Sequence, residues 1–138
     1  MIVVDTNILA HTWLPSEEKP RILELLQIDH EWVAPILWRS EMRSVLAKFL
    51  RKGLLTEAQA NEIASTAEDH MTGREFQVPT RMVLSLLSSS RLSSYDCEFV
   101  ALARMQDVPL VTFERRIPKE FPDQAWHIDD FLKRGRRA

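Results

Sequence analysis

The chain has 138 residues, 45% of them apolar and 28% charged, the size and composition of one ordinary globular domain. A formal net charge of −2 argues against a protein coated in positive charge for nucleic acid, and one cysteine (Cys97) excludes an internal disulfide framework. Three glycines leave no room for a Gly-rich phosphate loop or a dinucleotide fingerprint.

No apolar run approaches the length of a membrane span, and the chain opens directly in a strand. A soluble, cytoplasmic protein with no membrane partner and no leader is therefore expected. The basic residues are unevenly placed. Lys133, Arg134, Arg136 and Arg137 crowd the end, and removing those four from 18 leaves 14 basic against 20 acidic residues over 1–132. Residues 133–138 read as a basic tail, either a contact for an anionic partner or a disordered, solvated terminus.

In chain order, Ile2-Val3-Val4 is an unbroken β-branched run, the pattern of a strand buried on both faces in a parallel sheet. Asp5 follows directly, where ligands bind in open α/β sheets. An Asp-Thr-Asn sequence can also simply make a turn. His11 to Leu14 continue a short helix or turn that stops before Pro15. Ser16 to Pro20 start a helix whose apolar face includes Ile22, Leu23, Leu25 and Leu26. Glu31 to Pro35 suits a second strand.

The clearest helix is expected from about Ile36 to Lys52, with Met42, Val45, Leu46, Phe49 and Leu50 at helical spacing and Gly53 to end it. Glu41 falls on the same side as Val45 and Phe49, where a carboxylate is costly unless paired, hydrogen-bonded or metal-bound. An ion pair with Arg39, Arg43 or an arginine elsewhere would explain it without any function. Thr56-Glu57-Ala58-Gln59 has the form of a capping box opening a helix toward His70. Glu75 to Val78 is extended, Thr80 to Leu87 helical, and Ser88 to Ser90 a loop.

Ser93 to Asp96 open the next helix. Asp96 suits its first turn on structural grounds alone, and Glu98 is either a solvent charge or an accessory acid. Val108 to Phe113 then repeat the opening device, an apolar strand leading straight into an acid, Glu114. A last edge strand is expected at Ala125 to Ile128, and a short helix capped by Asp129 at Asp130 to Arg134. Alternation of strands and helices predicts an α/β fold built on a mainly parallel sheet.

Asp5, Glu41, Asp96 and Glu114 thus stand at two strand ends, one helix face and one helix start, places that can meet in one crevice. Carboxylates so gathered repel one another and favour a hard dication, for which Mg²⁺ or Mn²⁺ is the expected cofactor. Other chemistries fit poorly. A haloacid-dehalogenase-type phosphatase needs an aspartate where Asn7 stands, the four histidines lack zinc spacing, and no Gly-flanked serine marks a nucleophile elbow.

The sequence resembles PIN-domain nucleases, and especially the VapC-type toxins of toxin–antitoxin pairs. The likeness is carried by Val4 to Leu9, Pro35 to Glu41, Ser94 to Ala103 and Pro109 to Arg116. It implies a three-layer α/β sandwich over residues 1–138, with a central, mainly parallel sheet flanked by helices. It implies an Mg²⁺- or Mn²⁺-dependent endoribonuclease whose metal acids are Asp5, Glu41 and Asp96. The fourth family acid, usually Asp, falls on Glu114, a departure that lengthens the side chain. Asn7 and Thr112 match polar positions that orient carboxylates or water.

The resemblance further implies an RNA substrate cut to a 5′-phosphate and a 3′-hydroxyl, a cognate antitoxin and a homodimer. Ile22, Leu25, Leu26, Trp38, Met42 and Leu46 offer apolar helix surface for that dimer. Trp13 and Trp38 are the tryptophans placed nearest the acids. The competing readings are a PIN-like module that binds RNA or protein without cutting, and a PIN nuclease of RNA processing or DNA repair with no antitoxin.

Overall fold

The computed structural model describes residues 1–137 and contains, among them, five strands and eight helices. In chain order these are β1 (Ile2–Val4), α1 (Thr6–Trp13), α2 (Lys19–Ile28), β2 (Trp32–Pro35), α3 (Trp38–Arg51) and α4 (Glu57–His70). They continue with β3 (Glu75–Phe76), α5 (Thr80–Ser88), α6 (Ser94–Gln106), β4 (Leu110–Thr112), α7 (Arg116–Glu120), β5 (Ala125–His127) and α8 (Ile128–Arg137).

The strands form one sheet in the order β3-β2-β1-β4-β5, and every neighbouring pair is parallel. Ile2 sits opposite Trp32, Val3 opposite both Val33 and Leu110, and Thr112 opposite His127. Successive side chains of a strand point to opposite faces. Ile2, Val3 and Val4 are nonetheless all buried, so both faces of the sheet are covered. Helix α6 lies along β1, β2 and β4 with α5 against it, and α8 packs on β4 and β5 with α2 against it. The result is the PIN-like α/β architecture, a parallel sheet between helical layers.

The strand order reverses at β1. From there the chain goes to β2 and β3 on one side and to β4 and β5 on the other. Such a switch point opens a crevice beyond the carboxyl ends of the two central strands, here β1 and β4. The residues after those strands are Asp5 and, past Phe113, Glu114.

Local signals explain several element ends. The capping box at α4 forms in full: Thr56 Oγ1 accepts the Gln59 N–H at 3.1 Å, and Gln59 Oε1 accepts the Thr56 N–H at 2.9 Å. Gly53 follows α3 with φ +70°, a conformation that costs other residues a steric penalty. Helix α3 begins at Trp38, two residues later than its apolar spacing suggests, because Ile36 and Leu37 form a turn. The helix α7 has no counterpart in the sequence reading; five residues are too few for a period to register.

Two expectations are corrected. Residues 133–137 are no disordered tail but the last turns of α8, which runs unbroken from Ile128 to Arg137. Arg136 makes a two-pronged pair with Glu24 of α2 at 2.5 and 2.7 Å, and the Arg134 guanidinium lies 5.1 Å from the centre of the Trp126 ring. Gly135 faces Ile28, whose side chain an added Cβ would strike, so α8 seats closely on α2. Ala138 lies outside the described residues.

The apolar helix surface assigned to a dimer is mostly the protein's own core. Ile22, Leu25, Trp38, Met42 and Leu46 are all buried, and Leu26 is partly buried against them. Helical spacing says that a face is apolar, but not whether its partner is internal or external.

Candidate active site

Asp5 caps α1. With extended backbone (φ −80°, ψ 171°), its Oδ1 accepts the Ile8 N–H at 3.0 Å. Its Oδ2 accepts the Thr112 hydroxyl and, at 3.3 Å, the Phe113 N–H. Thr112 is fully buried and also accepts the Glu114 N–H at 2.8 Å, so one hydroxyl links the ends of β1 and β4. Burial pushes the Asp5 carboxyl up to about 6; the donors from Thr112, Ile8 and Phe113 pull the other way, and the Glu114 charge adds to the rise.

Glu41 lies in the first turn of α3 and accepts the Thr6 hydroxyl at 2.7 Å. Burial raises its pKa, the Thr6 hydrogen bond opposes that, and the charge of Asp96 adds to it. The ion-pair explanation fails. Arg39 is committed to Glu75 through two hydrogen bonds of 2.6 and 2.7 Å, with Glu68 at 3.2 Å, and Glu41 pairs with no base among the described residues.

Asp96 sits in the first turn of α6, which Ser93 caps through the Asp96 N–H at 3.1 Å. Among the described residues the Asp96 carboxylate accepts no hydrogen bond. Its neighbour is the Arg116 guanidinium at 3.7 Å, which also lies 3.9 Å from Glu114. Arg116 is 70% exposed, so these contacts are weak. Glu98, the undecided acid, is partly buried, and its pKa is raised by burial and then by the Glu41 charge.

All four acids line one cavity of about 520 Å³, together with Thr6, Asn7, Ser40, Ser44, Lys48 and Tyr95. Asn7 lines it as an exposed residue, and Thr112 acts on it from behind, through Asp5. The tryptophans do not reach it. Trp38 is buried and donates its indole N–H to Glu75 at 2.9 Å, while Trp13 packs edge-on against His70 with ring centres 5.4 Å apart. The sequence reading assigned no role to Thr6, Ser40, Ser44, Lys48 or Tyr95. Ser40, Ser44 and Lys48 were detectable as a polar row at four-residue spacing from Ser40, one residue before Glu41.

The donor set suits a hard dication: four carboxylates, two of them with pKa values raised by burial and neighbouring charge. It is not drawn tight. Among the described residues no three His, Cys, Asp or Glu side chains are gathered closely enough to hold a metal ion as they stand. Acids that repel one another stay apart without a cation, and Arg116 leans toward two of them.

An all-parallel sheet with an acid-lined crevice at its switch point defines an α/β protein whose candidate site lies beyond the strand ends. The PIN domain model matches residues 2–120, and the chain belongs to that family, whose members are nucleases. No curated protein matches the sequence. Among solved structures the chain is similar to PAE2754 from Pyrobaculum aerophilum, at 18% identity and a TM-score of 0.73, covering 99% of this chain and 97% of that one. FitAcB from Neisseria gonorrhoeae is similar at 17% identity and a TM-score of 0.71, covering 93% and 98%. FitAB bound to the IR36 DNA fragment is similar at 15% identity and a TM-score of 0.69, covering 93% and 95%. Among the described residues, no helix is long and apolar enough to cross a membrane.

Proposed function

We propose that this protein is a divalent-metal-dependent endoribonuclease and the toxin of a toxin–antitoxin pair. The observation that carries the nuclease reading is the meeting of Asp5, Glu41, Asp96 and Glu114 in one cavity at the switch point of the sheet. Asp5, Glu41 and Asp96 would hold Mg²⁺ or Mn²⁺, with Glu114 assisting. The bound ion would supply an activated water and charge neutralisation at the scissile phosphate.

The chain's own residues do the positioning. Thr112 and the Phe113 N–H fix one oxygen of Asp5 while Ile8 fixes the other, so this carboxylate cannot swing. Thr6 restrains Glu41 in the same way. Glu114, whose backbone N–H is held by Thr112 and whose carboxylate meets only the exposed Arg116 at 3.9 Å, has the reach to place a water, and Asn7 is available to orient one.

The antitoxin and the homodimer rest on the resemblance to VapC-type toxins in the four acid-bearing segments. The likeness to FitAB, seen bound to a DNA fragment, supports a nucleic-acid setting for such a pair. A cytoplasmic location goes with this proposal. The lean of Arg116 toward Asp96 and Glu114, where it can stand in for a cation, favours a second reading, a PIN module that binds without cutting.

One experiment separates the two. Purified protein is incubated with total cellular RNA in Mn²⁺, in Mg²⁺ and in chelator, and the cut ends are mapped. Metal-dependent cuts at discrete sites support the nuclease. RNA that is bound but intact in both metals supports the module.

A further inference from the structure

The cavity has walls that the acids do not use. From α3, Ser40, Ser44 and Lys48 line it as one row, each four residues from the last and therefore on one side of the helix. From α6 it is lined by Tyr95, next to Asp96. Tyr95 is the only tyrosine in the chain and 58% exposed. All other Trp and Phe residues are buried or partly buried. Its hydroxyl has no hydrogen-bond partner among the described residues. The packing of α6 is carried by Cys97, Phe99, Val100, Ala101, Leu102 and Ala103, so Tyr95 has no core role to explain it.

An acid-lined site is a poor place for a polyanion. Four carboxylates face Lys48 inside the cavity, with Arg116 at its rim. Without a bound cation, attraction of phosphates alone cannot then supply the affinity, and contact that is indifferent to charge must contribute. Stacking of a base on an aromatic ring is such a contact, and it needs a base that is not already stacked in a duplex. Resting on the nuclease reading, we propose that Tyr95 is the platform on which an unpaired base of a single-stranded RNA stacks beside the acids. The Ser40–Ser44–Lys48 row holds the backbone of the same strand.

The test uses a single-stranded oligoribonucleotide of a cleaved sequence with 2-aminopurine beside the cut site. Binding is read by fluorescence in chelator and cleavage in Mn²⁺, for wild type, Tyr95→Ala and Tyr95→Phe. Because Tyr95 is exposed, all three should unfold at the same denaturant midpoint. Wild type and Tyr95→Phe should quench the probe. Tyr95→Ala should lose the quenching, bind roughly tenfold or more weakly and show its defect mainly in KM. A duplex of the same sequence should bind wild type at least roughly tenfold more weakly than the single strand.

Equal binding and quenching by wild type and Tyr95→Ala, while wild type still cuts, would overturn the platform and leave the nuclease standing. So would a Tyr95→Ala protein impaired only in holding a protein partner. A wild type that neither binds nor cuts the strand would overturn both.

Discussion

Thr112 at the end of β4 donates its hydroxyl to Asp5 at the end of β1, across two strands that are neighbours in space and 107 residues apart in sequence. The bond is buried, and the same oxygen of Thr112 accepts the Glu114 N–H. It therefore ties the side chain of one acid to the backbone of another. A threonine at that position does what valine cannot, although the two are alike in shape.

Thr112→Val should keep the β4 packing and lose this link. Asp5 Oδ2 then retains only the Phe113 N–H, and the Glu114 N–H loses its acceptor. We expect a stability loss of about 1–3 kcal/mol in urea unfolding, since buried polar groups are left short of partners. The Asp5 carboxyl should titrate higher still, because a donor that lowered its pKa is gone. The acidic limb of the cleavage profile should move to higher pH, and Thr112→Ser should restore most of both properties.

Asp5 also predicts how stability without metal depends on pH. Its folded pKa, about 6, lies above the ordinary value, so folding favours the protonated form. The contribution is fully present below about pH 4 and is lost as pH rises through about 6, a swing of about 3 kcal/mol. His11 and His127, whose pKa values burial lowers, act in the opposite sense over a nearby range. The difference between wild type and Asp5→Asn isolates the effect. In chelator, the variant should gain on wild type by up to that amount between pH 4 and pH 7. Against this stands the cost of aiming an Asn side-chain amide at the Phe113 N–H, which does not vary with pH. A pH-independent difference would contradict the assignment.

The basic end of the chain makes a third prediction. If residues 133–137 were a free tail, Arg134→Ala would be neutral. Because Arg134 stacks over Trp126 in α8, we expect a loss of about 0.5–1 kcal/mol in denaturant unfolding. Deletion of residues 133–138 should lower the midpoint further, as it also removes the Arg136–Glu24 pair.

The opening strand and its acid were legible because an unbroken apolar run has few other uses, and Asp5 marks where it ends. Glu41 was legible because a carboxylate interrupts an otherwise apolar stripe. The capping box of α4 was legible because its two side chains are only three residues apart. What escaped depends on contacts distant in sequence. Nothing in Lys133 to Arg137 says that Glu24 and Trp126 will meet them. Nothing in Ile22, Leu25 or Met42 says that their apolar faces are buried within this same chain. The tryptophans drew attention by proximity in sequence, yet burial took Trp38 away and left Tyr95 at the cavity.

The measurement that tests the central claim most directly is RNA cleavage by Asp96→Asn. Asp5 is a less clean probe, since its carboxylate accepts three hydrogen bonds and caps a helix. Asp96 faces the same cavity, and among the described residues its carboxylate accepts no hydrogen bond. The substitution should therefore cost no more than about 1 kcal/mol of stability in chelator, the loss of a charge at the start of α6, partly offset by less repulsion among the acids. If the four acids form a metal-dependent nuclease site, kcat/KM in Mn²⁺ should fall at least 100-fold, about 2.7 kcal/mol of transition-state stabilisation. A folded Asp96→Asn protein that cuts the same RNA at the wild-type rate in the same buffer would contradict the account.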